Sequence, residues 1–254
     1  MTLVEKRRLG PIFLAVAVVV AGIAMYVSDR KPPRIRADPV ATHVWSSAPG
    51  IDLGSRAAEL VRATVESTVI SRKAGLDFTY PGFREARRDA SFDWGFAASD
   101  GMGSDYEYWL ESDRSTYVDH VATIGINDRW LNAKVCQYQV PEPGENWTAG
   151  EFAGNFRIYV VKFENLNPSQ DVAGSGIPKS GRRTPDWNVF GDWRITDIAA
   201  ATREWEPHDC RNWFATQAPG LEFGADLTAA RSTEDTVIPY GPIRPQFPRW
   251  RRPD

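Results

Sequence analysis

Two cysteines, three histidines and one run of carboxylates are the residues through which this 254-residue chain could do chemistry. Cys136 and Cys210 stand alone, with no C-x-x-C and no neighbouring histidine, and His43, His120 and His208 are scattered. A zinc centre needs four closed ligands or three that converge, so the chain calls for no metal. Two lone thiols in an exported domain read most simply as a disulfide; the other reading is two buried free thiols. Closing a loop of that length contributes on the order of 4 kcal/mol by the chain-entropy model. The carboxylates Asp89, Asp93, Asp100, Asp105, Glu107, Glu111 and Asp113 run without a Lys or Arg between Arg88 and Arg114. Asp100-Gly101-Met102-Gly103-Ser104-Asp105 invites a calcium reading but departs from the D-x-[DN]-x-[DN]-G spacing. The plainer reading is a solvated acidic loop with a short helix at Tyr106–Leu110. There is no G-x-S-x-G, no phosphate-binding glycine loop and no H-E-x-x-H. The sequence therefore calls for no cofactor, and an enzyme reading is weak.

The strongest single stretch is apolar. Pro11 to Val27 holds no charged side chain, and as a helix it covers about 25 Å, close to the roughly 30 Å apolar thickness of a bilayer. Lys6, Arg7 and Arg8 bound it on one side and Asp29, Arg30 and Lys31 on the other. It reads as an uncleaved membrane anchor following a short cytoplasmic tail, residues 1–10. The alternative is a cleaved signal peptide, for which the run is long and lacks a clean A-x-A site. Flanking charges are balanced between the two sides, so they do not set the orientation. The cysteines favour the large domain outside the cytoplasm.

About 220 residues follow the anchor, enough for one ordinary domain with extensions. A net charge of -3 argues against nucleic acid as a partner. Arginine outnumbers lysine, and Ala, Gly, Asp and Trp are frequent, a composition typical of high-GC bacteria.

Residues 28–50 read as a linker, stiffened at Lys31-Pro32-Pro33-Arg34. Ser55 to Ala74 predicts the main helix. Ser55 caps it, Ala57, Leu60, Val61, Thr64, Val65, Thr68 and Val69 form its apolar stripe, and Gly75 ends it. Pro81 to Ala90 predicts a second helix with Phe83 and Ala86 or Arg87 inward. From Thr116 the period changes to two: Thr116–Ile126, a turn at Asn127-Asp128, and Trp130–Val140 form a hairpin. Phe156–Glu164 is a further strand. Pro141–Asn155 and Asn167–Pro185 are loops, the second too polar for a core. Asp186 onward predicts a short strand, a Gly191-Asp192 turn and the strand Trp193–Ile198. The expected fold is α+β: helices packed on a curved antiparallel sheet, spanning 51–200. Residues 201–254 form an extension tied back by Cys210, with Trp205, Trp213 and Phe214 available to pack. Its Pro/Arg/aromatic-rich end from Pro239 reads either as a peptide for another protein's groove or as a disordered tail.

This order of elements resembles the nuclear transport factor 2-like superfamily, in which a long N-terminal helix and short helices precede a strongly bent sheet forming a cone. The likeness rests on Ser55–Ala74, Tyr117–Val140, Phe156–Glu164 and the closing G-D-W-R-I-T-D-I of Gly191–Ile198. Within that superfamily, membrane proteins associated with mammalian-cell-entry (Mce) lipid transporters and inner-membrane assembly subunits of type IV secretion systems share a single anchor and an exported cone. The resemblance implies a non-catalytic scaffold whose partners are an envelope membrane-protein complex and, through the N-terminal helix, the lipid bilayer. Isomerase-type relatives imply instead a small apolar ligand, with a general base inside the cone and a donor opposite it. Tyr80, Asp93, Tyr108 and His120 are the residues offered for such a pocket. His120 shares a strand face with Val118 and Ala122, which reads more simply as a satisfied core histidine.

Overall fold

A computed structural model describes residues 41–88, 90–92, 115–140, 156–170, 181–200, 208–217, 221–223, 230–232 and 246–250, all within one compact unit, Asp38–Asp254. The expected anchor Pro11–Val27, all seven carboxylates of the acidic run, Tyr108 with the helix expected at Tyr106–Leu110, and the loop Pro141–Asn155 lie outside the described residues. Among the described residues no helix is long and apolar enough to cross a membrane.

The fold is α+β. The chain enters with β1 (Ala41–Ser47) and α1 (Arg56–Ala74), followed by α2 (Phe83–Ala86) and β2 (Ser91–Phe92). Four long strands come next: β3 (Ser115–Ile126), β4 (Trp130–Val140), β5 (Phe156–Asn165) and β6 (Trp193–Ala200). α3 (His208–Gln217) and a small pair, β7 (Leu221–Phe223) with β8 (Ala230–Ser232), complete it. The main sheet has the order β1-β3-β4-β5-β6-β2. β3 to β6 are antiparallel neighbours, as the alternation predicts. Bulges interrupt the ladder between Val121 and Thr123 and between Lys162 and Phe163, and such insertions bend a strand and increase its twist.

Four expectations are corrected. The sheet is mixed, because β1 runs parallel to β3 and β2 parallel to β6. Part of the expected linker is β1 itself: Ala41, Thr42, His43 and Trp45 are all buried, so the segment lacks the one-faced alternation that marks a strand in sequence. The helix expected over Pro81–Ala90 shrinks to the single turn Phe83–Ala86, with Phe83 and Ala86 inward. Residues 186–190 form no strand; they are a bend that buries Val189 and Phe190.

The long helix follows its sequence signals. Ser55 sits at the N-cap in extended backbone, and its Oγ accepts from Ala58 N at 3.3 Å. Gly75, at φ 91°, closes the other end and donates to Ser71 O at 3.0 Å. Sixteen of its nineteen residues are buried, so one apolar stripe on a sheet does not describe its surroundings. Leu60, Val61 and Val65 pack with Val121, Val135, Tyr159, Val161, Phe163 and Ile195 in the main core. The opposite side of α1 is polar and is covered by chain from far along the sequence.

The sheet's other face carries a second core of Val118, Ala122, Cys136, Tyr138, Ile158, Cys210 and Phe214, with Trp213 packed against it. Cys136 and Cys210 form a disulfide, Cα atoms 5.4 Å apart, that fixes α3 to β4. The bridge spans 74 residues. Replacing both cysteines with alanine is expected to lower unfolding free energy by about 4 kcal/mol, read from urea denaturation. A loss under about 1 kcal/mol would mean that α3 and its aromatic contacts hold that face unaided.

Candidate functional site

Glu59, Arg62 and Glu66 recur at three- and four-residue spacing on α1, a pattern that ordinarily marks a solvated helix face. Here all three are buried. The cover is the end of the chain: Gln246–Trp250 runs between α1, β1 and the residues around Arg182. Phe247 N donates to His43 O at 3.0 Å, and Trp45 N donates to Phe247 O at 2.8 Å, in a parallel bridge beside β1. Arg182 and Trp250 exchange two main-chain hydrogen bonds of 2.8 Å on the other side. The Pro/Arg-rich tail is thus corrected in its last described part: Gln246–Trp250 occupies a groove of its own domain. The loop Asn167–Pro185 likewise contributes Gly181 and Arg182 to the wall of that groove.

Under this strap lies a saturated carboxylate. Glu66 Oε1 accepts from Trp45 Nε1 at 2.9 Å and Gln246 Nε2 at 3.1 Å. Its Oε2 accepts from Trp250 Nε1 at 3.1 Å and from the Tyr80 hydroxyl. Four donors match the acceptor capacity of one carboxylate. Arg62 donates to Pro248 O at 2.8 Å, lies 3.9 Å from Glu66 through Nε, and stacks its guanidinium 4.3 Å over the Trp250 ring. Tyr80 meets Trp250 edge to face at 5.6 Å. Burial, then the Glu66 charge and hydrogen bond, push the Tyr80 pKa well above its ordinary value, so its phenol is a fixed donor. Burial lowers the Arg62 pKa, against the pull of Glu66.

A second buried chain of polar groups adjoins the first. His43 Nδ1 donates to Asp119 Oδ2 at 2.8 Å, Gln137 Nε2 donates to Asp119 Oδ1 at 2.7 Å, and the Tyr159 hydroxyl donates to Gln137 Oε1 at 3.0 Å. His43 stacks on Tyr117 with centroids 5.1 Å apart. The two groups join at Gln246, whose Oε1 accepts from His43 N at 2.7 Å. Burial acts to lower the His43 pKa, but Asp119, by charge and hydrogen bond, with Glu66 behind it, outweighs burial and the opposing Lys73 charge. The net value is raised. A histidine held above its unfolded pKa stabilises fully below about pH 6.5, and that contribution fades as pH rises through the folded value. The stability gap between the native chain and His43→Asn should therefore shrink between pH 5.5 and pH 8.5 in urea titrations. A gap independent of pH would sink this assignment.

Of the residues offered for a pocket, Asp93 and Tyr108 lie outside the described residues, and Tyr80 and His120 are not brought together. Tyr80 belongs to the Glu66 group. His120 keeps the strand face expected of it, but that face is the one under α3: its Nδ1 is 2.9 Å from Ser46 Oγ, and its ring stacks on Trp213 at 5.0 Å. It is half-buried, not a core residue, and burial lowers its pKa. The sheet thus stands between His120 and Tyr80, so these two do not form a base and donor facing each other. Among the described residues no group of three His, Cys, Asp or Glu is placed to hold a metal ion. Glu66, Arg62, His43, Asp119 and the strap escaped the sequence reading; the helical spacing of Glu59, Arg62 and Glu66, together with the late Gln246, Pro248 and Trp250, was the available signal. In comparisons with known proteins, no family model, no curated protein and no solved structure matches the chain.

Proposed function

We propose that the chain is a membrane-anchored, non-catalytic extracytoplasmic domain of the nuclear transport factor 2-like kind, which assembles or stabilises a bacterial envelope transport or secretion complex. One observation carries this reading: among the described residues, the buried carboxylates Glu66 and Asp119 are engaged by side chains of the fold itself. Glu66 is filled by four intramolecular donors and Asp119 by His43 and Gln137. Catalysis needs an acid or base within reach of a substrate, and these groups face protein. The disulfide supports an oxidising compartment, in keeping with a reading in which the domain lies outside and the expected anchor's short N-terminal side inside. Ile126, Trp130 and Leu166 are large apolar side chains left exposed where β3 turns into β4 and β5 ends, and such residues suit a protein partner. The other reading, a cone binding a small apolar ligand, requires space between α1 and the sheet, where Leu60, Tyr159, Phe163 and Ile195 already meet.

The test is purification of the intact protein from its own cells in mild detergent after cross-linking, with identification of the co-purifying chains. A stoichiometric set of envelope proteins is expected, and Trp130→Asp should weaken it without unfolding the domain. A protein that emerges alone, or carrying a bound lipid, overturns the scaffold reading.

A further inference from the structure

We propose that the cleft between β1 and α1 is a peptide-recognition groove that reads an extended Gln-X-Pro-X-Trp segment, and that Gln246–Trp250 of the same chain is its resident occupant. The contacts have the form of a ligand added to a sheet edge, in which main-chain bonds supply affinity and pockets for alternate side chains supply specificity. Gln246, Pro248 and Trp250 are buried, while Phe247 and Arg249 between them are exposed, the two-residue period of an extended strand. Each buried position is read by a different group. The Gln246 amide is bound at both ends, by His43 N and by Glu66. The Pro248 carbonyl takes the Arg62 guanidinium. The Trp250 indole gives its N–H to Glu66 and lies under Arg62, with Tyr80 and Trp187 edge-on to it.

The wall opposite β1 is cut to the main chain of the segment. A Cβ at Gly181 would stand 2.5 Å from Trp250 O and 3.2 Å from Arg249 Cβ, so only glycine lets the strap lie there. Chain connectivity does not impose the arrangement, since the partners of Gln246 lie 203 and 180 residues away. Without the segment, Glu66 keeps Trp45 and Tyr80 as donors and loses the other two, leaving an Arg–Glu pair open at the floor of the groove. The inference rests on these contacts alone and stands apart from the assembly reading.

The experiment uses the full chain in detergent, with a protease site inserted between residues 240 and 241 and cut after folding. The probe is a fluorescein-labelled peptide of residues 242–254. The cut fragment should travel with the body in gel filtration, and excess peptide should displace it. The labelled peptide should bind the cut body, and Gln246→Ala or Trp250→Ala in the peptide should weaken binding by about tenfold or more. The uncut chain should bind it at least about tenfold more weakly, because the tethered segment competes at high effective concentration. Gly181→Ala in the body should abolish binding. A concentration-dependent dimer of the uncut chain that excess peptide dissolves would also support the groove, with a second copy supplying the segment. A cut body that stays folded and binds no peptide, or binds all variants alike, overturns the proposal. So does a body that unfolds on cutting and is not refolded by the peptide.

Discussion

Glu66→Ala is expected to remove about 5 kcal/mol of unfolding free energy, a large share of the 5–15 kcal/mol typical of a folded domain. The substitution strips a common acceptor from four buried donors: the Trp45 and Trp250 indoles, the Gln246 amide and the Tyr80 hydroxyl. Each such donor left dry costs about 1–3 kcal/mol, although the losses are not additive within one network. It also leaves the Arg62 guanidinium, 2% exposed, without its carboxylate, and breaking a buried pair from one side costs about 3–5 kcal/mol. Glu66→Gln keeps the shape and one acceptor oxygen but turns an NH2 group toward donors; its cost should fall between, about 2–3 kcal/mol. Urea denaturation of the three proteins decides it. If Glu66→Ala loses less than about 1 kcal/mol, the carboxylate is not the organising centre of this face.

That centre was hard to read from sequence for a physical reason. Elements whose signals are local were legible: Ser55 and Gly75 bracket α1 by capping chemistry, and alternation, the Asn127-Asp128 turn and β-propensity gave β3 to β6 close to their observed bounds. The disulfide followed from two lone cysteines in a domain expected to be exported. What depends on long-range cover was not legible. Arg62 and Glu66 look like solvent-facing charges until Gln246 and Trp250, some 180 residues on, are laid over them. β1 lacks alternation for the same cause, being covered by α1, β3 and the strap together. His120 shows the limit of parity. Its spacing with Val118 and Ala122 fixed the residues sharing its face, but not which face α1 would cover, and both sides of the sheet turn out to be packed.

Trp250→Ala is the second large effect, expected to cost about 4 kcal/mol. Truncating a buried tryptophan removes its transfer free energy and leaves a cavity that neighbours fill only in part, together about 3–5 kcal/mol. Trp250 is 1% exposed and packs with Tyr80 and Trp187. The indole also supplies one of the four donors to Glu66 and the face on which Arg62 lies, a cation–π contact worth about 2 kcal/mol when desolvated. Trp250→Phe separates these contributions. It retains most of the packing and the ring beneath Arg62 but deletes the N–H, so it should lose about 1–2 kcal/mol. Combined with Glu66→Gln, it should cost less than the sum of the two single changes, because both sever the same hydrogen bond. Strict additivity would mean that the strap and the carboxylate act independently. A Trp250→Ala protein as stable as the native chain would show that Gln246–Trp250 lies on the surface of the domain instead of completing its core.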